Sequence, residues 1–440
     1  MRHPAEADLL LYAFDPAASD RRAEIEEHLP SCGACRQTVE SERFDDLLRD
    51  PFVWGDAASP AMESSLRARA AEIAREDAEA ELLLGGLTPA AAAWTRRFRN
   101  RRNHTGGVVR WLTRRAHAIC ESRPLDALTY ADQAAYVAES LRDDRYVAGA
   151  VFELRGTAWK ERANALRLLG RFDAAHEALD RAAEAYSRLR HSGRGHAAVD
   201  FIRAAVLFEQ QRQDEAALLA ERAERAFAHL GLDDDRMRAI FLRANIRYEQ
   251  GQLFAATAAF HEVLAWGEAL KSAYWTGVGA LGLGNCYIDR GEVGEASFHF
   301  RRALVLFTEL HMESVCIKSQ WGMGRVLLAL GSHTDALLRL HEVAAGFERL
   351  GMVTDAALVG LDIADGLLTS GRTREIIPLA SHVFDVFRQA GMLTGALAAV
   401  AYLKEAAAAG TLTPKGVDSV RRFLRRAERQ PDLLFAPPAP

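Results

Sequence analysis

The chain has 440 residues, of which 49% are hydrophobic, and its formal net charge at pH 7 is −5. This length suffices for several domains or one extended array, and the acidic balance does not favour a general nucleic-acid-binding protein. Five cysteines are too few for a disulfide-stabilised secreted scaffold. No segment at the start resembles a signal peptide or a membrane span, so we expect a soluble cytoplasmic protein.

A histidine and cysteine motif lies near the N-terminus. His28, Cys32 and Cys35 are separated by three and two residues, and His3 lies 25 positions upstream of His28. Two thiolates and two imidazoles are ligands that zinc prefers, and the two-residue gap lets both cysteines reach one ion. The sequence therefore predicts one Zn²⁺ held by His3, His28, Cys32 and Cys35, with His3 the weakest member because it lies beside the terminus.

The role of this zinc stays open between two alternatives. A closed four-ligand site is structural and stabilises a module that has little core of its own, whereas zinc-bound thiolates are also targets of oxidants. The sequence favours the structural role without excluding a redox role. A catalytic zinc is not expected, because four protein ligands leave no open coordination position.

Short helices are predicted before the repeats, with ends set by caps and prolines. The predicted helices are 5–14, 19–28, about 34–48 and about 59–84, the last of them amphipathic and detachable.

Residues 1–90 carry 9 Arg against 19 Asp or Glu, whereas eight arginines and no acid occur between Arg96 and Arg115. This basic run either binds nucleic acid or is a solvated helix face that pairs with the acidic module or a neighbouring helix, and the acidic net charge of the whole chain favours the second alternative.

From about residue 104 the chain repeats with a period of about 40 residues. Turn positions recur at Gly170, Gln211, Gly251, Gly291, Gly331, Gly371 and Gly410. Seven residues before the first six turns stand Ala163, Ala204, Ala244, Gly284, Gly324 and Ala364, and five residues after them stand Ala175, Ala216, Ala256, Ala296, Ala336 and Ile376. Small residues on both sides of a turn allow two antiparallel helices to approach closely. Each unit is therefore predicted to be a helical hairpin, and the hairpins stack.

This pattern resembles the tetratricopeptide repeat, in the longer version found in bacterial signal-transduction proteins. The resemblance covers residues 104–430, with an imperfect first unit at 104–141 that turns near Pro124 and a closing helix that begins at Pro414. It implies an all-α fold: a small zinc-stapled helical bundle followed by a right-handed α-solenoid. Residues 431–440, rich in proline, are expected to be disordered.

The motif around His28 resembles the zinc-binding anti-sigma-factor domain. That resemblance implies that His3, His28, Cys32 and Cys35 are the ligands and that the helix at 59–84 wraps a sigma factor. The expected domains are the zinc-binding module at 1–50, a connector of amphipathic helix and basic segment at 51–103, the array at 104–430 and the tail at 431–440.

One residue six positions before each turn marks a candidate binding groove. In the resembled repeat family this register faces the concave groove, where amide side chains can hydrogen-bond the main chain of an extended peptide. The alternative is that asparagine is only the commonest residue of the repeat at this position. The candidate groove residues are Asn164, Asn245, Asn285, Arg325 and Asp365.

No catalytic constellation emerges from the sequence. Gly277, Gly279 and Gly282 have the spacing of a dinucleotide-binding loop, but no strand precedes them, and we interpret them as sites of close helix packing. We therefore predict a non-enzymatic regulator in transcription or signalling, which binds a sigma factor through residues 1–84 and a second protein or peptide in the groove. The alternative is a scaffold or peptide sensor in which the zinc module is only a structural cap.

Overall fold

The computed structural model describes most of the repeats and part of the N-terminal module. The residues it describes are 3, 4, 9, 21–32, 35, 60–86, 98, 100–141, 145–146, 148–189, 192–389, 394–427 and 433–438. Within these residues the regular structure is helical. The helices are α1 (Arg22–His28), α2 (Pro60–Leu84), α3 (Gly106–Ile119), α4 (Pro124–Glu139), α5 (Ala148–Leu168), α6 (Phe172–Ser187), α7 (Gly193–Glu209), α8 (Gln213–His229), α9 (Asp233–Glu249), α10 (Leu253–Ala269), α11 (Ala273–Asp289), α12 (Val293–Glu309), α13 (Glu313–Ala329), α14 (His333–Arg349), α15 (Val353–Thr369), α16 (Ile376–Gln389), α17 (Thr394–Ala408) and α18 (Pro414–Ala427).

The chain divides into two compact units, Met1–Val206 (unit 1) and Leu207–Pro440 (unit 2). Consecutive helices pack as hairpins, such as α3 with α4 and α5 with α6 in unit 1, and α11 with α12 and α13 with α14 in unit 2. The expected all-α repeat fold is confirmed, including the first hairpin and the closing helix at Pro414. Of the described helices, none combines the length and the apolar character that crossing a membrane requires.

The repeats keep a regular half-period of 20 residues. Each helix from α7 to α15 has 17 residues. The middle residue of each three-residue connection after these helices has a positive φ, between 53° and 78°. The N–H after that residue closes the helix end by bonding a carbonyl five residues back, as Gln252 does to Arg247 at 2.9 Å. A second turn register, absent from the sequence prediction, lies midway at Gly231, Lys271, His311 and Gly351.

The small residues beside the turns are buried where the two helices of a hairpin meet. Every alanine of the two predicted registers is fully buried, and so is Ile376. At the glycine positions a large side chain from the second helix fills the space: a Cβ on Gly284 would lie 2.7 Å from the Phe300 ring, and one on Gly324 would lie 2.5 Å from Leu340. This complementarity confirms that the repeat unit is a close-packed hairpin.

The helix α2 docks on the first hairpin through a buried carboxylate. Glu76 is 2% exposed and accepts hydrogen bonds from the Gly107 N–H at 3.1 Å and the Tyr146 hydroxyl at 2.7 Å. The main chains touch here, since a Cβ on Gly107 would lie 2.3 Å from the Glu76 carbonyl oxygen. The expectation of a detachable helix is therefore wrong for the C-terminal third of α2, because the Gly107 N–H at the start of α3 donates to this carboxylate.

Charged pairs beside Glu76 also explain part of the basic run. Arg110 pairs with Asp77 at 2.8 Å, and Arg114 pairs with the same carboxylate at 3.3 Å. The Trp111 indole donates to Glu81 at 2.7 Å. For these residues the alternative of an acidic segment of the same chain is confirmed.

The C-terminal tail differs from the expected disorder over residues 433–438. The Phe435 ring packs edge-on against the Phe423 ring of α18, with the centroids 5.1 Å apart, and it lies 5.6 Å from the ring of Tyr402 on α17. Aromatic contacts therefore hold this part of the tail on the closing hairpin, which the proline-rich composition did not signal.

The close approach of the helices can be tested at Gly282 in α11. A Cβ there would lie 2.3 Å from the Phe260 ring. We expect Gly282→Ala to lower the free energy of unfolding by about 1–3 kcal/mol, because the ring or the helix must shift. Urea unfolding measures this loss. The matched control is Gly294→Ala, whose Cβ meets nothing within 4 Å; a loss as large in the control would contradict the packing account.

The docking of α2 can be tested at Glu76. Glu76→Gln keeps the shape but replaces one acceptor oxygen by a donor among N–H and O–H donors, so we expect a loss of about 1–3 kcal/mol. Hydrogen exchange at 76–84 should rise, and the thermal midpoint should fall. Glu79→Gln is the control, because Glu79 is exposed and pairs with Arg75 of the same helix; equal effects of both variants would contradict the proposed anchor.

Candidate functional site

The four predicted metal ligands come together in unit 1. The helix α1 ends at His28, a short 3₁₀ turn with Pro30 follows, and Cys32 is extended. The His28 Nε2 lies 3.2 Å from the Cys35 Sγ, and the His3 Nδ1 lies 3.3 Å from the same sulfur. All four candidate ligand atoms lie within 4.8 Å of one another. This cluster could hold a metal ion.

The distances and the donor types fit zinc. Zn–N and Zn–S bonds of ~2.0–2.1 and ~2.3 Å in a tetrahedron place the ligand atoms roughly 3.4–3.8 Å apart. The distances of 3.2 and 3.3 Å to the Cys35 Sγ are slightly shorter than this, and the 3.6 Å between the Cys32 Sγ and the His3 Nδ1 lies within it. Burial and the neighbouring Cys32 raise the pKa of the Cys35 thiol, and a bound divalent cation would favour the ionised form of this sulfur.

Among the described residues, few apolar side chains support this cluster. Leu9, Ile25 and Cys35 form its buried part, with Leu29 and Cys32 packed against them. The Ser31 hydroxyl donates to the His28 carbonyl at 2.9 Å and closes the turn between the two ligand segments. Most of the predicted helix at 34–48 and the predicted helix at 5–14 lie outside the described residues. For the part that is described, side-chain packing alone offers little stabilisation, which fits a structural metal.

The candidate groove residues belong to the first helix of each hairpin. In unit 2, neighbouring first helices, such as α11 with α13, contact one another more extensively than the second helices do over the described residues. We refer to the layer of first helices in unit 2 as the inner layer. In unit 2, Asn245, Asn285, Arg325 and Asp365 occupy one register of this inner layer, on α9, α11, α13 and α15.

Most of the predicted groove residues already have partners. Asn245 donates to the Phe241 carbonyl of its own helix at 2.8 Å, and Arg325 pairs with Asp289 at 2.5 Å. In unit 1, the Asn164 amide donates to the Cys120 sulfur at 3.5 Å and its oxygen accepts from Arg167. Asn285 is half-buried and has no hydrogen-bond partner in the part of the chain that the structure describes.

A charged ladder joins the first helices of unit 2. The Tyr248 hydroxyl of α9 donates to Asp289 of α11, which also accepts from Arg325 of α13. Burial and then Asp289 raise the pKa of Tyr248, so its hydroxyl keeps its proton and donates. Burial alone would lower the pKa of Arg325, but Asp362 and Asp289 outweigh it and raise that pKa. Sequence reasoning missed both Tyr248, three residues before the turn at Gly251, and Asp289, two residues before the turn at Gly291.

A second part of the ladder lies at the end of the array. The Trp321 indole donates to Asp362 at 2.6 Å, and Arg421 of α18 pairs with Asp362 at 2.9 Å and with Asp365 at 2.5 Å. Sequence reasoning also missed Trp321, Asp362 and Arg421. Asp362 precedes Asp365 by one helical turn, which is the signal that could have indicated it.

Comparison with known proteins gives the fold. No protein-family model matches the chain, and no curated protein matches its sequence. Among solved structures, the Rap protein complexed with competence and sporulation factor is 13% identical, with a TM-score of 0.58, over 74% of this chain and 89% of that one. Aspartyl phosphate phosphatase F from Bacillus subtilis is 11% identical, with a TM-score of 0.52, over 90% of this chain and 96% of that one. The chain has a tetratricopeptide-like helical-repeat fold.

The zinc assignment can be tested by metal content. We expect one zinc per purified chain, lost in Cys35→Ser and reduced less by His3→Ala because His3 is exposed near the terminus. Plasma mass spectrometry measures the content. Cys316→Ser, which removes a half-buried thiol from α13, is the control. Zinc that persists in Cys35→Ser, or that is lost in the control, would contradict the assignment.

Proposed function

We propose that this chain is a non-enzymatic regulator that binds an extended peptide, or a peptide segment of a protein partner, on the inner layer of unit 2. The observation that carries the proposal is the half-buried amide of Asn285, which has no partner among the described residues. Its neighbours along the layer, Tyr248, Asp289 and Arg325, hold one another in place by hydrogen bonds. A rigid layer with an unused amide can bind a peptide main chain by donating and accepting at once.

The comparison supports a regulator of this class. The Rap protein of similar fold was solved in complex with competence and sporulation factor, so a repeat fold of this kind can carry a bound signalling factor. The other similar structure is named as a phosphatase, but a likeness at 11% identity extends to the fold alone. The features that support our proposal are those of a binding surface, so we propose no catalytic step.

We propose that the His and Cys cluster holds one structural Zn²⁺. The zinc would fix the turn between α1 and the segment of Cys35, and the free energy of its coordination by the four ligands would stabilise the folded module. His28 and Cys35 are buried in the cluster, whereas His3 is exposed, so an oxidant or a chelator would act first at the exposed side. We also propose a cytoplasmic location, because thiolate ligands persist in reducing compartments.

A second candidate function is sigma-factor binding through residues 1–84. The four-ligand cluster and the long helix α2 support it. The docking of Glu76 on α3 opposes it, because the face of α2 around Ala80 and Leu84 is buried against the first hairpin. On this hypothesis α2 must leave α3 before it can wrap a partner. Glu76→Gln should then bind purified sigma subunits more tightly than the parent chain, and unchanged binding would remove this candidate.

The peptide proposal can be tested by display selection. Random peptides selected on the full chain should lose about tenfold in affinity for Asn285→Ala, because two main-chain hydrogen bonds contribute about 1–2 kcal/mol together. Fluorescence anisotropy measures the affinity. The control is Ser297→Ala on α12, a second helix. Equal affinities of the two variants for every selected peptide would contradict the proposed groove.

A further inference from the structure

The last helix does not continue the array in the regular way. In the preceding hairpins of unit 2, each second helix packs on its own first helix and on the next one along the chain, whereas α18 packs on α17 and returns to α15. It buries Val417, Val420 and Leu424 in this position. The closing helix therefore lies against a first helix, on the inner layer.

The return of α18 covers a face that the other first helices leave partly open. Leu361 of α15 is 2% exposed and Leu358 is also buried, whereas the residues 40 positions earlier, Trp321 and Lys318, are only half-buried. The inner layer is thus occupied at its C-terminal end by a segment of the same chain.

Arg421 is the polar centre of this contact. Its guanidinium reaches both Asp362 and Asp365, and Asp365 is the groove residue of the last regular repeat. Burial raises the pKa of Asp365 against the lowering effect of Arg421. Two carboxylates one helical turn apart in a partly buried place need cations nearby. Here Arg421 pairs with both of them, and Arg325 also interacts with Asp362.

We propose that Arg421 is a built-in ligand of the groove, which holds the place of an arginine side chain of a bound peptide and must be displaced when such a peptide binds. This inference rests on the proposed peptide-binding function and adds two things to it. The peptide carries an arginine that pairs with Asp362 and Asp365, and the free groove is inhibited by its own last helix.

The neighbouring contacts fit a replaceable guanidinium. Arg421 keeps about a fifth of its side chain exposed and Asp365 about a third (21% and 32%), so the pair can be reached from solvent without opening the apolar contacts of α18. Trp321 donates to the Asp362 oxygen that Arg421 leaves free. Its indole therefore reports on what binds at this carboxylate.

The test is chemical rescue of Arg421→Ala in the full chain, with acetyl-arginine amide as the probe and acetyl-glutamine amide as the neutral control. We expect the thermal midpoint of Arg421→Ala to fall and to recover with the arginine probe only. Emission of Trp321 should change at the same probe concentrations, and this signal should be absent after Trp321→Phe. The parent chain should need at least about tenfold more probe, because its own Arg421 competes.

The control variant is Arg422→Ala, on the same helix but exposed and paired with Asp418 of α18; it should neither lose stability nor respond. Should Arg421→Ala fail to fold, Arg421→Gln keeps the shape without the charge and serves for the same measurement. Equal responses of the Arg421 and Arg422 variants, or equal effects of the two probes, would overturn the proposal. The test uses no selected peptide, so its outcome is separate from that of the Asn285 experiment.

Discussion

The structure depends on the close approach of two helices at the small residues beside each turn. Ala244 and Ala256, or Gly324 and Ala336, lie where a larger side chain would force the helices apart. Because the same contact recurs every 40 residues, each hairpin presents its first helix in the same way. The inner layer of unit 2, and with it every candidate groove residue there, follows from this repeated contact.

Regular placement lets side chains of successive hairpins bond one another. Asp289 accepts from Tyr248 on one side and from Arg325 on the other, so three first helices share one polar contact. Such hydrogen-bond networks orient their members. Asn285 lies one helical turn before Asp289 and belongs to no part of this network, and we propose its amide as the group that binds a ligand.

The contacts of α2 with the first hairpin and of α18 with α15 include ion pairs between partly or fully buried side chains. The contact between the two helices of a repeat depends on small apolar residues. At the front, Glu76 accepts from the Gly107 N–H at the start of α3 and pairs with Arg145. At the back, Arg421 pairs with both Asp362 and Asp365. Both contacts need a partly buried charge that is fully paired, and either one becomes costly when its partner is removed.

The regular helical hairpins could be predicted from the sequence. The contacts that do not follow the repeat could not be predicted. The 40-residue period located the turns and the buried small residues, because one physical contact dictates both. From the motif spacing we predicted that His28, Cys32 and Cys35 lie close to His3, and the structure places these four residues together. The docking of Glu76 and the return of α18 could not be predicted, because each depends on how one helix packs on a surface that only the assembled hairpins create. The packing of Phe435 was missed for the same reason.

We propose that a peptide binds on the first helices of unit 2. Hydrogen exchange of the full chain, measured by mass spectrometry with and without a display-selected peptide, would locate this binding surface. Our account predicts slower exchange in α9, α11, α13 and α15, with the second helices α10, α12 and α14 unchanged. Slower exchange confined to the second helices, or to the N-terminal module, would contradict it.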